Sequence, residues 1–305
     1  MISIIVSTKN NNSTIKFVLN SILPLTNKLP VELIVVDGRS KDGTQEKVEE
    51  FFRINKSYYV NTILLTDPGR SLSLSRHIGF KASTGDVLIF LDGDTPLAPD
   101  FSLHLEEEIK NCDVIAPRFA VVPIDEATKV FAAFINLVES VENENVFTNK
   151  PSILAPARVY RRKVLETLKG YPPLSKFFGE DRIVTALAIM HGFRYNYSSQ
   201  LRLLKIDDPG YSAYWRKHFR YGYGMVNDVS PQGRRILRDY IIFRRFSYLN
   251  TIIPIFSLIY MSKQYKLKKK NVAQIMLMKQ LIDISMFVGE LIGIFRRMRG
   301  SLLHE

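Results

Sequence analysis

With 305 residues, 46% of them hydrophobic, the chain can bury a full core as one large domain or as one domain plus an appendage. Its single cysteine, Cys112, excludes internal disulfides and any cysteine-based zinc site, and points to a reducing compartment. The net charge of +12 is uneven: residues 1–209 carry 25 Lys/Arg and 25 Asp/Glu, whereas residues 210–305 carry 17 and 5, so a neutral body is joined to a basic tail.

The chain opens on the strand-like run Ile2–Ser7, with no basic leader or cleavage site, which reads as no secretory signal. Further strands are expected at Glu32–Val36, Thr62–Leu65 and Asp86–Leu91, and helices at Ser13–Leu23, Thr44–Ile54 and Leu72–Ala82. This alternation predicts an α/β body with a mainly parallel sheet covered on both faces. Each of three strands ends in polar residues that could meet a ligand: Thr8-Lys9-Asn10, Asp37-Gly38-Arg39-Ser40 and Asp92-Gly93-Asp94. Ligands in open α/β sheets bind beyond the carboxyl ends of strands. There the pair Asp92 and Asp94, with glycine between, could hold a hard divalent cation and leave positions for substrate phosphates. The glycine fingerprints of dinucleotide and P-loop folds are absent, so bound phosphates would be neutralised by metal and arginine, with Arg70 and Arg76 as candidates.

Taken with their order and spacing, the segments Ser3–Asn10, Glu32–Thr44 and Arg76–Asp86, leading into Asp92-Gly93-Asp94, resemble the family 2 glycosyltransferases of the GT-A fold, over residues 1–225. The resemblance implies a nucleotide-diphospho-sugar donor, UDP- or GDP-linked. It places Thr8, Asn10 and Asp37 against the base and ribose. Asp92 and Asp94 would hold Mn²⁺ or Mg²⁺ against the diphosphate, with Asp94 the more direct ligand. By itself, Asp37-Gly38 after a strand is also ordinary turn chemistry.

Glu180-Asp181-Arg182 follow Phe177-Phe178 and open a helix that runs to Gly192. Two acids there complement the helix dipole, and the apolar neighbours suggest burial that raises a carboxylate pKa. The pair also matches the Glu-Asp motif of inverting family members, which implies Asp181 as catalytic base and Glu180 as an orienting residue. In Trp215–Gly224, the positions Lys217, Arg220 and Tyr221 are similar to the Gln/Arg-x-x-Arg-Trp element of polysaccharide synthases, with only Arg220 matching in kind. Arg220 and Tyr221 are thereby donor-binding candidates, and His218 a candidate for the metal shell.

Residues 226–305 read as a basic, apolar helical segment. Leu249–Met261 is too short to cross a bilayer, where ~20 residues are needed. Val272–Phe295 is long enough, but it contains Lys279, Asp283 and Glu290, which with Arg297 form a polar stripe. A mid-bilayer Asp costs ~2.5–3.5 kcal/mol on insertion scales, so a helix lying in the interface is favoured over a lone span. Ser285, Gly289 and Gly293 form a small-residue ridge for close helix contact, as in a small bundle. The two apolar stretches could otherwise pack on the catalytic domain or form a seam between two copies. Basic residues contribute ~1 kcal/mol each at an anionic leaflet, and the apolar content fits lipid better than nucleic acid.

The expectation is a metal-dependent inverting transferase, with a cytoplasmic catalytic domain (1–225) and a membrane-associating segment (226–305). Its acceptor would be lipid-linked, a polyprenyl phosphate or glycolipid. The alternatives are a sugar-nucleotide pyrophosphorylase, whose glycine-rich loop is missing after the first strand, and a non-catalytic membrane adaptor retaining the fold.

Overall fold

The computed structural model describes residues 1–69, 71–122, 156–176, 178–206, 211–242, 245 and 269–301. Of the residues singled out above, Arg70, Phe177 and the apolar run Leu249–Met261 lie outside these. The described chain separates into two compact units, 1–207 and 208–305.

In the first unit, strands β1 (Ile2–Thr8), β2 (Val31–Asp37), β3 (Asn61–Thr66) and β4 (Val87–Asp92) alternate with helices α1 (Ile15–Thr26), α2 (Thr44–Asn55) and α3 (Leu72–Ala82). All seven residues of β1 and of β2 are buried. That burial on both faces suits the near-continuous apolar composition of a parallel sheet. α1 outruns its expected end at Leu23 and passes through Pro24. Proline removes one intrahelical bond there, and the burial of Leu25 holds the extra turn.

Beyond β4, within this unit, the sequence predicts only the helix that opens at Glu180 and runs to Gly192, which the structure ends at Met190. The elements there are α4 (Phe101–Asn111), β5 (Val114–Val121), β6 (Val159–Arg161), α5 (Arg162–Thr167), α6 (Glu180–Met190) and β7 (Tyr195–Lys205). The seven strands form one sheet in the order β3-β2-β1-β4-β6-β5-β7. β1, β2, β3 and β4 are parallel, β6 runs antiparallel to both β4 and β5, and β5 is parallel to β7. Chain order reverses at β1, which lies between β2 and β4. Register places Thr8 opposite Asp37 and Ser7 opposite Asp92, so three carboxyl ends open at one edge, the topological switch point.

Two apolar clusters cover the sheet, one built on Ile4, Val6, Leu19 and Leu33, the other on Ile5, Val36, Phe90 and Tyr160. α3 packs directly on β1 because Gly79 has no side chain; a Cβ there would collide with Ile5 Cγ2. At the opposite edge, buried Glu32 accepts from Ser3 Oγ, Thr84 N and Gly85 N, which fixes the turn that feeds β4.

The second unit contains α7 (Tyr211–Asn227), α8 (Pro231–Ile236) and the long α9 (Lys269–Ser301). The boundary therefore precedes α7, which the reading above placed in the 1–225 domain. α7 packs on α9 through the small-residue ridge. A Cβ on Gly222 would strike the Met286 carbonyl, one on Gly289 the Phe219 carbonyl, and one on Gly293 the Asn227 amide nitrogen at 2.7 Å. Ser285 Oγ adds a bond to the Trp215 carbonyl at 2.6 Å. The ridge is thus occupied by a helix of the same chain. Replacing Gly289 by valine is expected to speed amide exchange across 211–227 and 280–298 while leaving β1 and β4 unchanged; wild-type exchange in both helices would contradict this packing.

Candidate active site

Asp92 ends β4, and Arg158 immediately precedes β6. Because β6 runs antiparallel to β4, with Ile89 opposite Val159, its start lies beside the carboxyl end of β4. The Arg158 backbone is clamped there: its carbonyl accepts from Phe90 N at 2.9 Å, and its own N–H donates to the Ile115 carbonyl at 3.1 Å. From this position Nη2 lies 2.9 Å from Asp181 Oδ2 and 3.4 Å from Asp92 Oδ2.

Arg76 completes the cluster from α3. Its guanidinium is fully buried, with Nη2 on Asp92 Oδ1 at 2.9 Å and Nη1 on Glu180 Oε1 at 2.6 Å. Asp181 Oδ2 lies 4.0 Å from Nη1. Each cation also sits over an aromatic ring, Arg76 over Tyr171 at 5.7 Å and Arg158 over Phe119 at 5.5 Å, contacts that favour a desolvated guanidinium. α3 is held to the site edge by Ser75 Oγ, 3.1 Å from Ser7 Oγ, and by Ser71, which accepts from Leu74 N.

Glu180 and Asp181 are delivered together because Gly179 turns the chain at φ 67°, a conformation open to glycine, directly into α6. Their place in the first turn sets both carboxylates against the positive helix end. Three acids therefore share two arginines in a nearly dry cluster. Burial pushes the Glu180 carboxyl up to about 7, with the Asp181 carboxylate as the next cause. For Asp92, burial acts upward but is outweighed by Arg158, Arg76 and Lys205, which hold it well below the usual carboxylate range.

The arrangement places one expected arginine in a different role and adds another that was not expected. Arg76, a donor-binding candidate, has both terminal nitrogens on carboxylates and no exposed surface, and in this arrangement it organises the acids. Arg158 was not singled out from the sequence. Its only local signal is one cation before the short apolar pair Val159-Tyr160, and nothing in the chain reveals that this pair lies antiparallel to β4.

The remaining candidates divide. Asp94 is half-buried, with Oδ1 accepting from Thr95 Oγ1 at 2.8 Å. Asp37 is fully buried, and its carboxylate takes Ser40 N at 2.8 Å, Ser40 Oγ at 2.5 Å and Gln45 Nε2 at 2.6 Å; it builds the turn after β2. Thr8 Oγ1 binds Asn11 Oδ1 at 3.0 Å. Asn10, at φ 54°, joins the β1 and β2 loops through Ser40 Oγ and Lys41 N. Gly93 is required between the two acids, since a Cβ would lie 2.5 Å from Thr8 Oγ1 and 2.6 Å from Asn11 Oδ1. Arg220, Tyr221 and His218 belong to α7 in the second unit, where Arg220 is exposed and buried His218 meets the Tyr221 ring at 5.6 Å.

The family model described as glycosyl transferase family 2 matches residues 3–169, more than half of the chain. The chain belongs to this family. A dolichol-phosphate mannosyltransferase of Pyrococcus furiosus is 34% identical over 116 residues, 38% of this chain and 32% of that protein. Glycosyltransferase AglE of Haloferax volcanii is 34% identical over 94 residues, 30% of each. The family 2 chain thus aligns with about a third of the length of these relatives. Among solved structures, the mannosyltransferase PcManGT of Pyrobaculum calidifontis, in complex with GDP-Man and Mn²⁺, superposes with a TM-score of 0.60 at 17% identity, covering 95% of this chain and 86% of its own. The 1–349 fragment of TarS from S. aureus gives 0.53 at 17% identity, covering 97% and 91%. These likenesses establish the fold, a mixed α/β GT-A arrangement with a mostly parallel sheet.

Removing Arg76 leaves buried Glu180 and half-buried Asp92 and Asp181 with Arg158 as their one guanidinium. Arg76→Met is therefore expected to cost about 3–5 kcal/mol in urea unfolding. Because the Glu180 pKa is raised on folding, its contribution is complete below the unfolded value near 4.5 and is lost as pH rises through about 7. Wild type minus Glu180→Gln stability should accordingly fall by about 2–3 kcal/mol between pH 5 and 8. A flat difference would refute the burial argument.

Proposed function

We propose that this family 2 protein transfers a sugar from a nucleoside-diphosphate sugar to a lipid-linked acceptor at a membrane surface, with a divalent cation on the donor diphosphate and inversion at the anomeric carbon. The observation that carries this reading is the convergence of Asp92 and Asp181 on Arg158, at the carboxyl edge of the sheet where the β1, β2 and β4 loops also end.

The residues fit a cation of the Mg²⁺ or Mn²⁺ type. Asp94 offers a half-buried carboxylate engaged by one hydroxyl, and such ions take one or two carboxylates, water and substrate phosphates. Among the described residues no three His, Cys, Asp or Glu side chains form a closed cage. Asp92 has its oxygens on Arg76 and Arg158, so its part is to anchor the arginines. When bound, the cation neutralises charge developing on the departing diphosphate. The PcManGT structure holds Mn²⁺ together with GDP-Man.

Asp181 is assigned the proton of an attacking hydroxyl. Its side chain retains 15% exposure against 6% for Glu180, and Arg158 fixes its orientation. Glu180 holds Arg76. If the acceptor is a phosphate, it arrives already ionised and Asp181 matters less. Thr8, Asn10 and the Asp37 turn would frame the nucleotide, with Asp37 acting through Ser40.

A lipid-linked acceptor is supported by the relative named dolichol-phosphate mannosyltransferase and by α9. Among the described residues no helix is long and apolar enough to cross a membrane. Instead Leu281, Ile284, Phe287, Leu291, Phe295 and Met298 are exposed at helical spacing, while Ile282, Asp283, Met286 and Glu290 are buried on the other side. Glu290 is paired with Arg245. An exposed apolar stripe of this kind suits a helix lying in the interface.

Two substitutions test the assignment. Asp94→Ala should abolish metal-dependent transfer. Asp181→Asn should lower kcat toward a hydroxyl acceptor by about 10²–10⁴-fold while Mn²⁺-dependent binding of the donor persists. Full activity in either variant would defeat the proposal.

A further inference from the structure

The second unit holds a cavity of about 400 Å³ that the transfer chemistry does not use. Four arginines line it, Arg234, Arg238, Arg245 and Arg297, together with five apolar residues that include Ile242 and Ile294. Among the described residues two carboxylates oppose these four cations. Glu290 pairs with Arg245, and Asp239 lies 3.7 Å from Arg238 Nε. Arg234 is held in place by its own backbone contacts, Nη1 donating to the Val229 carbonyl at 2.6 Å and the Val226 carbonyl at 3.1 Å. Burial, and then the neighbouring Arg297, lower its pKa. The cavity therefore combines surplus positive charge with an apolar wall.

Each half of that lining asks for something different. A guanidinium cluster recognises phosphate oxygens, with short charge-assisted bonds. An inorganic anion, however, would leave the isoleucine wall facing water, and a plain hydrocarbon would leave the arginines desolvated against no counter-charge. Ile294 also stands at the edge of the exposed apolar stripe of α9, so the cavity opens where that stripe would meet lipid. We infer that this cavity binds the head group of a phosphate-bearing lipid, with the phosphate among the arginines and the first part of the chain along Ile242 and Ile294. The inference rests on the proposed membrane location but is independent of sugar transfer.

The test uses the full chain and reads binding. Dodecyl phosphate, kept below its micelle concentration, is titrated by calorimetry beside inorganic phosphate, and flotation is run on phosphatidylcholine vesicles with and without phosphatidic acid. Saturable binding of dodecyl phosphate is expected, at least about tenfold tighter than inorganic phosphate, with flotation that requires phosphatidic acid. The double variant Arg238→Gln/Arg297→Gln should weaken dodecyl phosphate by about tenfold or more. Ile242→Glu, made at an exposed position, should do the same with an unchanged circular dichroism spectrum. The inference is overturned if inorganic phosphate binds equally well, if dodecyl phosphate does not bind, or if folded variants bind like wild type. Donor binding with Mn²⁺, measured in the same samples, separates the two readings, since its loss would count against transfer and not against the lipid site.

Discussion

The charge balance around Arg76 governs the catalytic unit. A guanidinium cannot shed its proton at any ordinary pH, so burying it completely commits the fold to supplying carboxylates within bonding distance. Asp92 and Glu180 meet that demand from β4 and α6, and Asp181 stands at the margin where Arg158 takes it up. None of these groups is tolerable alone in so dry a place. Together they fix three elements of distant sequence to one point, and of the two consecutive acids Asp181 is left more accessible than Glu180.

The backbone prepares that point. Order reverses at β1, so the carboxyl ends of β2 and β4 open on either side of it. α3 can lie close enough to bring Arg76 beneath Asp92 because Gly79 leaves room over Ile5. The antiparallel turn of the sheet at β6 supplies Arg158, which is why the site needs residues beyond the regular β-α alternation. Gly93 and Gly179 serve the same end, one by letting the Asp92–Asp94 loop fold onto Thr8, the other by aiming two consecutive acids.

Much of this was readable from residue pattern. Four strands and three helices follow from apolar runs separated by polar ends, with ends that match or shift by at most three residues. The acids Asp92, Asp94, Glu180 and Asp181 stand out because each pair follows an apolar segment. Arg76 misled, since an arginine on an amphipathic helix looks alike whether it faces water or buried acids. Asp37 offered two readings, and its carboxylate is found in the turn. Arg158 was invisible because antiparallel pairing with β4 is a long-range property. In the tail, Ser285, Gly289 and Gly293 were legible as a contact ridge, but their partner, α7, was not, because Gly222 fixes it from another helix.

The central claim is that the acids gathered by Arg76 and Arg158 surround the diphosphate of a sugar nucleotide. Its most direct test is a crystal structure with Mn²⁺ and a nucleoside diphosphate bound. The account predicts the cation on the Asp94 carboxylate, the diphosphate at the carboxyl edge of β4, and Asp181 still on Arg158. A nucleotide lodged away from that edge, or a cation bound without Asp94, would contradict it.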